Sequence, residues 1–167
     1  YGTVTISDGL AVDIDFSVEI TPSVFSSPLS NFGMQAFYFN HNAALTVSEA
    51  NIININPDSW AINEDMNAGG GFGKFEFIAT GSGSTRTSLL SFSISGVAGD
   101  TIADYATGYA DDMGEYFAAH IAGYDDSLSG NTSGKFAGST VVPVPAAVWL
   151  FGSALGMLAW LRRRSAS

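Results

Sequence analysis

The chain opens on alternation. In residues 2–7, Val4 and Ile6 fall on one side. In residues 10–20, Val12, Ile14, Phe16, Val18 and Ile20 alternate with Ala11, Asp13, Asp15, Ser17 and Glu19. A period of two belongs to a strand with one face in a core and one in water. The pattern predicts a strand through all of 10–20 with an acidic outer face. Each buried apolar side chain there contributes roughly 1.5–3 kcal/mol before entropy is counted. The Ser- and Pro-rich residues 21–31 predict a loop. In 34–41, Phe37, Phe39 and His41 share one face, and Met34, Ala36, Tyr38 and Asn40 the other. Both faces are largely apolar, which predicts a central strand between two packed layers.

Further short strands are predicted at 45–47 and 52–56. Pro57, Asp58 and Ser59 turn the chain into Trp60, Ala61 and Ile62. A Gly-rich turn at 68–71 leads into a strand over 72–80, with Phe75, Phe77 and Ala79 on one face and Lys74 and Glu76 on the other. After a second turn at 81–84, Leu90, Phe92 and Ile94 alternate with Ser91, Ser93 and Ser95. Residues 96–112 form a Gly- and Asp-rich connection with room for one helical turn. Residues 115–124 fit two periods. Met113, Phe117 and Ile121 have helical spacing, whereas Phe117, Ala119 and Ile121 alternate. Gly114 and Gly123 bound the stretch and favour strand. A last strand lies around Lys135 and Phe136. Short strands, Gly-rich turns and no convincing helix before residue 140 predict an all-β fold, an antiparallel β-sandwich or jelly roll over residues 1–139. The Gly-rich turns resemble one another, but no fixed-period repeat is present.

The last residues follow a different rule. Residues 140–145 read as a Pro-containing linker and motif, and 146–161 carry no charge. Counted from 146 or from 141, the run has roughly 16 or 21 residues, ~24 or ~31 Å as helix, against a hydrocarbon core of about 30 Å. Pro145 suits a first helical turn. Trp149 and Trp160 lie near the two ends, as interfacial aromatics do. A single transmembrane helix is therefore predicted over 146–164, stopped by Arg162, Arg163 and Arg164, with a short tail at 165–167. By the positive-inside rule the arginines mark the cytoplasmic end. Gly152 and Gly156 form a Gly-x-x-x-Gly face that permits close helix packing.

Composition sharpens this division. All 16 acidic residues precede the tail, and before it only Lys74, Arg86 and Lys135 are basic. Such a domain repels nucleic acid and anionic lipid, and favours cations or basic partners. With no cysteine, there is no disulfide framework, thiolate metal site or thiol nucleophile. Tyr1 is not a start methionine, and we expect an export signal to have been removed.

The tail's order is Val142, Pro143, Val144, Pro145, Ala146, Ala147, then the apolar run, a Gly-rich centre and the arginines. It resembles the PEP-CTERM sorting signal of exported proteins in exopolysaccharide-producing Gram-negative bacteria. Val144 stands where the family name has Glu, as in related Val-Pro-x-Pro-Ala variants. The resemblance implies an exosortase, a membrane-embedded cysteine transpeptidase-like enzyme, as partner, with cleavage near the motif. More loosely, Phe37-Tyr38-Phe39-Asn40, Gly71-Phe72-Gly73-Lys74-Phe75, and Phe117-Ala118-Ala119-His120-Ile121 with Ser133-Gly134-Lys135 resemble the sandwich domains that carry such tails.

Candidate chemistry is sparse. His41 and His120, facing one sheet layer, would make half of a metal site; the ordinary alternative is hydrogen-bonded histidine. Asp100, Asp104, Asp111, Asp112, Glu115, Asp125 and Asp126 offer calcium ligands or simply solvated loop acids, without an EF-hand loop. Asp13 and Asp15 share a predicted strand face, but paired carboxylates need a cleft to act on a glycoside. Trp60, Tyr105, Tyr109 and Tyr124 make either a sugar-stacking platform or buried and turn aromatics. Asn131-Thr132-Ser133 matches a glycosylation sequon. There is no Gly-x-Ser-x-Gly elbow, and no catalytic residue is assigned. The expected function is an exported surface or matrix structural protein, not an enzyme and without a cofactor. It is membrane-anchored through its tail before release, and it self-assembles through strand edges. The alternatives are a polysaccharide- or calcium-binding module and, third, a hydrolase of matrix polymer.

Overall fold

A computed structural model describes residues 1–25, 28–68, 71–109, 114–126 and 131–139. The expected sorting motif, membrane helix and arginines lie outside the described residues. Among the described residues, nine strands run in the order β1 Gly2–Asp8, β2 Ile14–Ile20, β3 Pro28–Phe39, β4 Ile52–Asn56, β5 Ala61–Asn67, β6 Lys74–Thr80, β7 Leu89–Ile94, β8 Phe117–Asp126 and β9 Asn131–Gly138. The helical segments among the described residues are short 3-10 turns, the longest Ile102–Tyr105, within the connection where one turn was expected. The fold is all-β. Every strand pairing is antiparallel, in two sheets of order β1-β2-β7-β4 and β5-β6-β3-β8-β9.

The four-stranded sheet obeys the alternation. Ile14, Phe16, Val18 and Ile20 are buried, as are Leu90, Phe92 and Ile94 on β7. β2 lies between β1 and β7, with Phe16 opposite both Ile6 and Phe92. The alternation does not reach back to residue 10, however. β1 and β2 form a hairpin whose last pair is Asp8 with Ile14, so residues 9–13 must turn. Gly9 N–H donates to Asp13 O at 2.8 Å, and Leu10–Val12 forms a 3-10 turn. Val12, expected in the core, is 89 % exposed at φ 66°, a strained region for a β-branched residue. β4 is shorter and irregular. Its pairing shifts between Ile53 and Asn56, around Asn54 at φ 56°.

The five-stranded sheet is buried on both sides of its middle strand, β3, as the two apolar faces of 34–41 predicted. Met34, Phe37 and Phe39 join the shared core, while Ala36 and Tyr38 join a second cluster with Ala68, Phe75, Ile78 and Ala118. Met34 was expected beside Ala36 and Tyr38. A bulge against β8 between Met34 and Ala36 resets the alternation and brings Met34 to the core. Phe75 likewise leaves Phe77 and Ala79. The β3 ladder ends at the pair Phe39 and Phe77, and the Phe75 ring packs 5.7 Å from Tyr38. The Ser/Pro segment is only partly loop, since β3 begins at Pro28. Residues 45–47 are not a strand; Leu45 and Val47 pack against the core from a turn and coil. Of residues 115–124, where strand is favoured over helix, 117–124 belong to β8, and 115 and 116 precede it.

The two sheets meet through aromatic rings. Phe16 lies 4.6 Å from Phe92 and 5.4 Å from Phe39, and Phe39 lies 5.0 Å from Phe92. Tilted and stacked rings at these distances add about 0.5–1.5 kcal/mol per pair beyond area burial.

Candidate functional sites

Three places could carry chemistry or contacts. The first is a cleft of about 680 Å³ between the sheets, where edge strands β1 and β9 stand apart. Its walls include Val4, Ile20, Phe117, Phe136 and Gly138. The Tyr1 ring lies 4.2 Å from Phe136 at its mouth. Burial of one face draws β1 and β9 into their sheets, but among the described residues neither edge has a strand partner across the gap. The lining suits an extended apolar group.

The second is the corner joining the end of β3 to residues 100–105. Asn42 Nδ2 donates to Asp104 Oδ1 at 2.9 Å. The Thr101 N–H and hydroxyl donate to Asp104 Oδ2 at 2.9 and 2.7 Å. These bonds, the Thr101 hydroxyl first and Asn42 next, hold the Asp104 carboxyl below its ordinary range. Tyr105 is wholly buried and donates to Asp100 Oδ2 at 2.6 Å. Burial, then the Asp100 carboxylate, pushes its phenol pKa up.

The third is a basic row on the outer face of the five-stranded sheet. Strand register places Ala36, His120 and Lys135 side by side on β3, β8 and β9. Residues directly opposite one another point to the same face. Lys135 Nζ donates to Ala68 O. Arg86, in the loop before β7, donates through Nε and Nη2 to Gln35 Oε1, both at 3.2 Å, and through Nη1 to Asn31 O at 3.1 Å. Burial holds the His120 imidazole pKa below its ordinary value, helped by the positive charges of Lys135 and Arg86.

The sequence-predicted sites fare differently. His41 and His120 do not form a pair. The His41 ring lies 5.8 Å from Phe77, a residue of the shared core, whereas His120 lies on the opposite face with Ala36. Of the calcium candidates, Asp104 and Asp100 serve the corner, and Asp125 is exposed near the end of β8. The Glu115 side chain is half-buried and its backbone carbonyl accepts from Asn40. Asp111, Asp112 and the Asp126 side chain lie outside the described residues. No three His, Asp or Glu groups gather to hold a metal among the described residues. The aromatic platform is not assembled. Trp60, Tyr105 and Tyr124 are buried, and Trp60 Nε1 donates to Thr85 O at 2.8 Å. Asp13 and Asp15 are not a strand-face pair, because Asp13 closes the hairpin turn while Asp15 accepts from the Ser93 hydroxyl at 2.6 Å. The sequon sits at the start of β9, with Thr132 and Ser133 exposed.

Sequence reasoning missed Asn40. It is fully buried, donates through Nδ2 to Glu115 O and accepts through Oδ1 from the Glu76 N–H, each at 3.2 Å. The available signal was one amide at the end of an aromatic run, since a buried polar group must be satisfied. The basic row was also missed. Its signal was the scarcity of bases, two of which turn out to converge. No protein-family model matches the chain, and no curated protein or solved structure matches it either.

Proposed function

We propose that the chain is an exported structural protein of a cell surface or extracellular matrix. Its ectodomain, residues 1–139, is the antiparallel sandwich or jelly roll expected from the alternation. A helix over 146–164 holds it at a membrane until an exosortase-type enzyme acts at the motif in 142–147. The single observation that supports a structural role is what the chemically able residues do. Asp15, Asp100, Asp104, Asn40, His41 and Trp60 each hold a hydrogen bond to another group of the chain. Self-association follows from exposed edges such as β1 and β9, which present unpaired backbone groups to a further strand. The test is an intact mass and a location for the protein from its native cells. The expected result is a chain ending near residues 142–145 in the extracellular matrix, in assemblies. A strictly monomeric protein absent from the matrix would sink the reading.

The cleft favours a second reading, a binding module. Its apolar walls suit an extended apolar chain, while the polysaccharide and calcium alternatives rest on the sequence alone. Calorimetric titration with an acyl chain, with Ca²⁺ and with extracted polysaccharide separates them. Heat from none of the three removes this reading.

A further inference from the structure

We propose that copies of this chain stack face to face. The outer face of the four-stranded sheet of one copy rests on the Arg86, His120 and Lys135 side of the next. This rests on the self-association reading above and adds to its strand-edge contacts a contact between sheet faces.

Consider the outer face of the four-stranded sheet. Its cross-strand rows are Thr3, Glu19 and Leu89; Thr5, Ser17 and Ser91; and Ser7, Asp15, Ser93 and Ile53. Glu19 stands exposed, and Leu89 and Ile53 are 46 % and 37 % exposed. This is an acidic, serine-rich surface with two apolar contact points. On the other side of the molecule, Lys135 and Arg86 supply two of the three Lys/Arg charges that precede residue 140. Lys135 stands beside His120 in the strand register, and Arg86 bonds Gln35, the neighbour in sequence of Ala36, which is His120's partner on β3. Thus Glu19 and Asp15 lie on one face, and Lys135 and Arg86 on the opposite side.

The occupant follows from that complementarity. A chain of net charge −10 repels its copies in most orientations. The basic row is where an acidic face meets attraction instead, so the same charges that oppose random contact select this one. The contacting faces are different surfaces on opposite sides, so the contact is heterologous. Repeated, it builds an open chain of molecules rather than a closed dimer.

The test uses the full chain in a neutral detergent, by sedimentation velocity at several ionic strengths, with circular dichroism confirming that each variant folds. Raising salt from about 0.05 to about 0.5 M shortens the Debye length from roughly 14 to roughly 4 Å and should dissociate the assemblies. The pair Arg86→Glu with Lys135→Glu should weaken association about tenfold. So should Ser17→Lys with Glu19→Lys, chosen to leave the Asp15–Ser93 hydrogen bond in place. Mixing the two variants should restore association to within about threefold of the unaltered protein, because each reversed face then finds its complement. Assemblies indifferent to salt and to both variants overturn this interface while the self-association reading stands. Protein that is monomeric at every ionic strength overturns both. Binding of a soluble acidic polysaccharide that needs Arg86 and Lys135, with no rescue on mixing, assigns the row to a polymer and overturns the stacking.

Discussion

The two sheets share one core but are built under different constraints. The four-stranded sheet has one dry face and one wet face. Phe16 and Phe92 point inward, while Ser17, Ser91 and Ser93 point outward. Its register is fixed because a slip of one residue would bring serine and aspartate into the core. The five-stranded sheet is dry on both sides of β3. There a slip costs less by hydrophobicity alone, and other devices set the register. They are a bulge at Met34–Ala36, Gly123 at φ 82° and the Asn40 side chain. At Gly123 a Cβ would lie 2.6 Å from Asn31 O, so only glycine lets β8 pass β3 there. A sheet with a wet face is held in place by its pattern. A sheet dry on both faces needs individual residues to hold it.

That contrast can be broken or sharpened by substitution. The largest effect is expected in the shared core. Phe16→Ala removes a ring that touches both sheets and should cost about 3–5 kcal/mol, read as a lower denaturant midpoint at unchanged slope. Phe75→Ala, in the second cluster, should fall in the same range if the outer face of the five-stranded sheet is a true core. A loss below ~1 kcal/mol would make that face merely covered rather than packed.

Next comes Asn40→Ala. It strips the partner from Glu115 O and from the Glu76 N–H and should cost about 1–3 kcal/mol. An outward position of the other sheet, such as Ser17→Ala, should change stability by less than ~0.5 kcal/mol. Equal losses at the two positions would erase the distinction between pattern and device.

The smallest effect is one of pH. The folded imidazole of His120 has a lowered pKa, so the unfolded chain takes up the proton first. Stability is therefore lost as pH falls from the ordinary histidine value toward the folded one, and His120→Gln should flatten that segment of the profile. Asp104 acts in a separate window. Its lowered pKa adds stability above the ordinary carboxylate value, which is lost as pH falls through the folded one.

How much the sequence revealed follows the same division. Ile14 to Ile20 and Leu90 to Ile94 were legible because alternation is the direct signature of a one-sided strand. It overran at Val12 because hydrophobic pattern does not mark a hairpin turn, and the register that forces the turn is set by another strand. In β3, two apolar faces announced a central strand yet hid the bulge that moved Met34. Residues 45–47 looked like a strand because coil that packs on a core is apolar too. Among the candidate sites, the polar residues were visible but their partners were not. Asp104 depends on Asn42, and Trp60 on Thr85, through contacts that spacing along the chain cannot disclose, whereas the Thr101 to Asp104 spacing is that of a capping box. The basic row required three separate segments to be brought together.

The pairing of β2 with β7 has a consequence in time. Phe16 finds its ring partner Phe92 only across the whole intervening chain, and β3 waits for both β6 and β8. A chain delivered from its N-terminus, whether from a ribosome or through an export channel, can close the β1–β2 hairpin early. It must then hold Ile14 without its β7 partner until residue 94 has emerged. Contacts this distant make folding slow and leave strand edges open meanwhile. Kinetically, the domain finishes as a unit and late, so a chaperone or channel that keeps the first half unfolded would protect it from premature pairing with its neighbours.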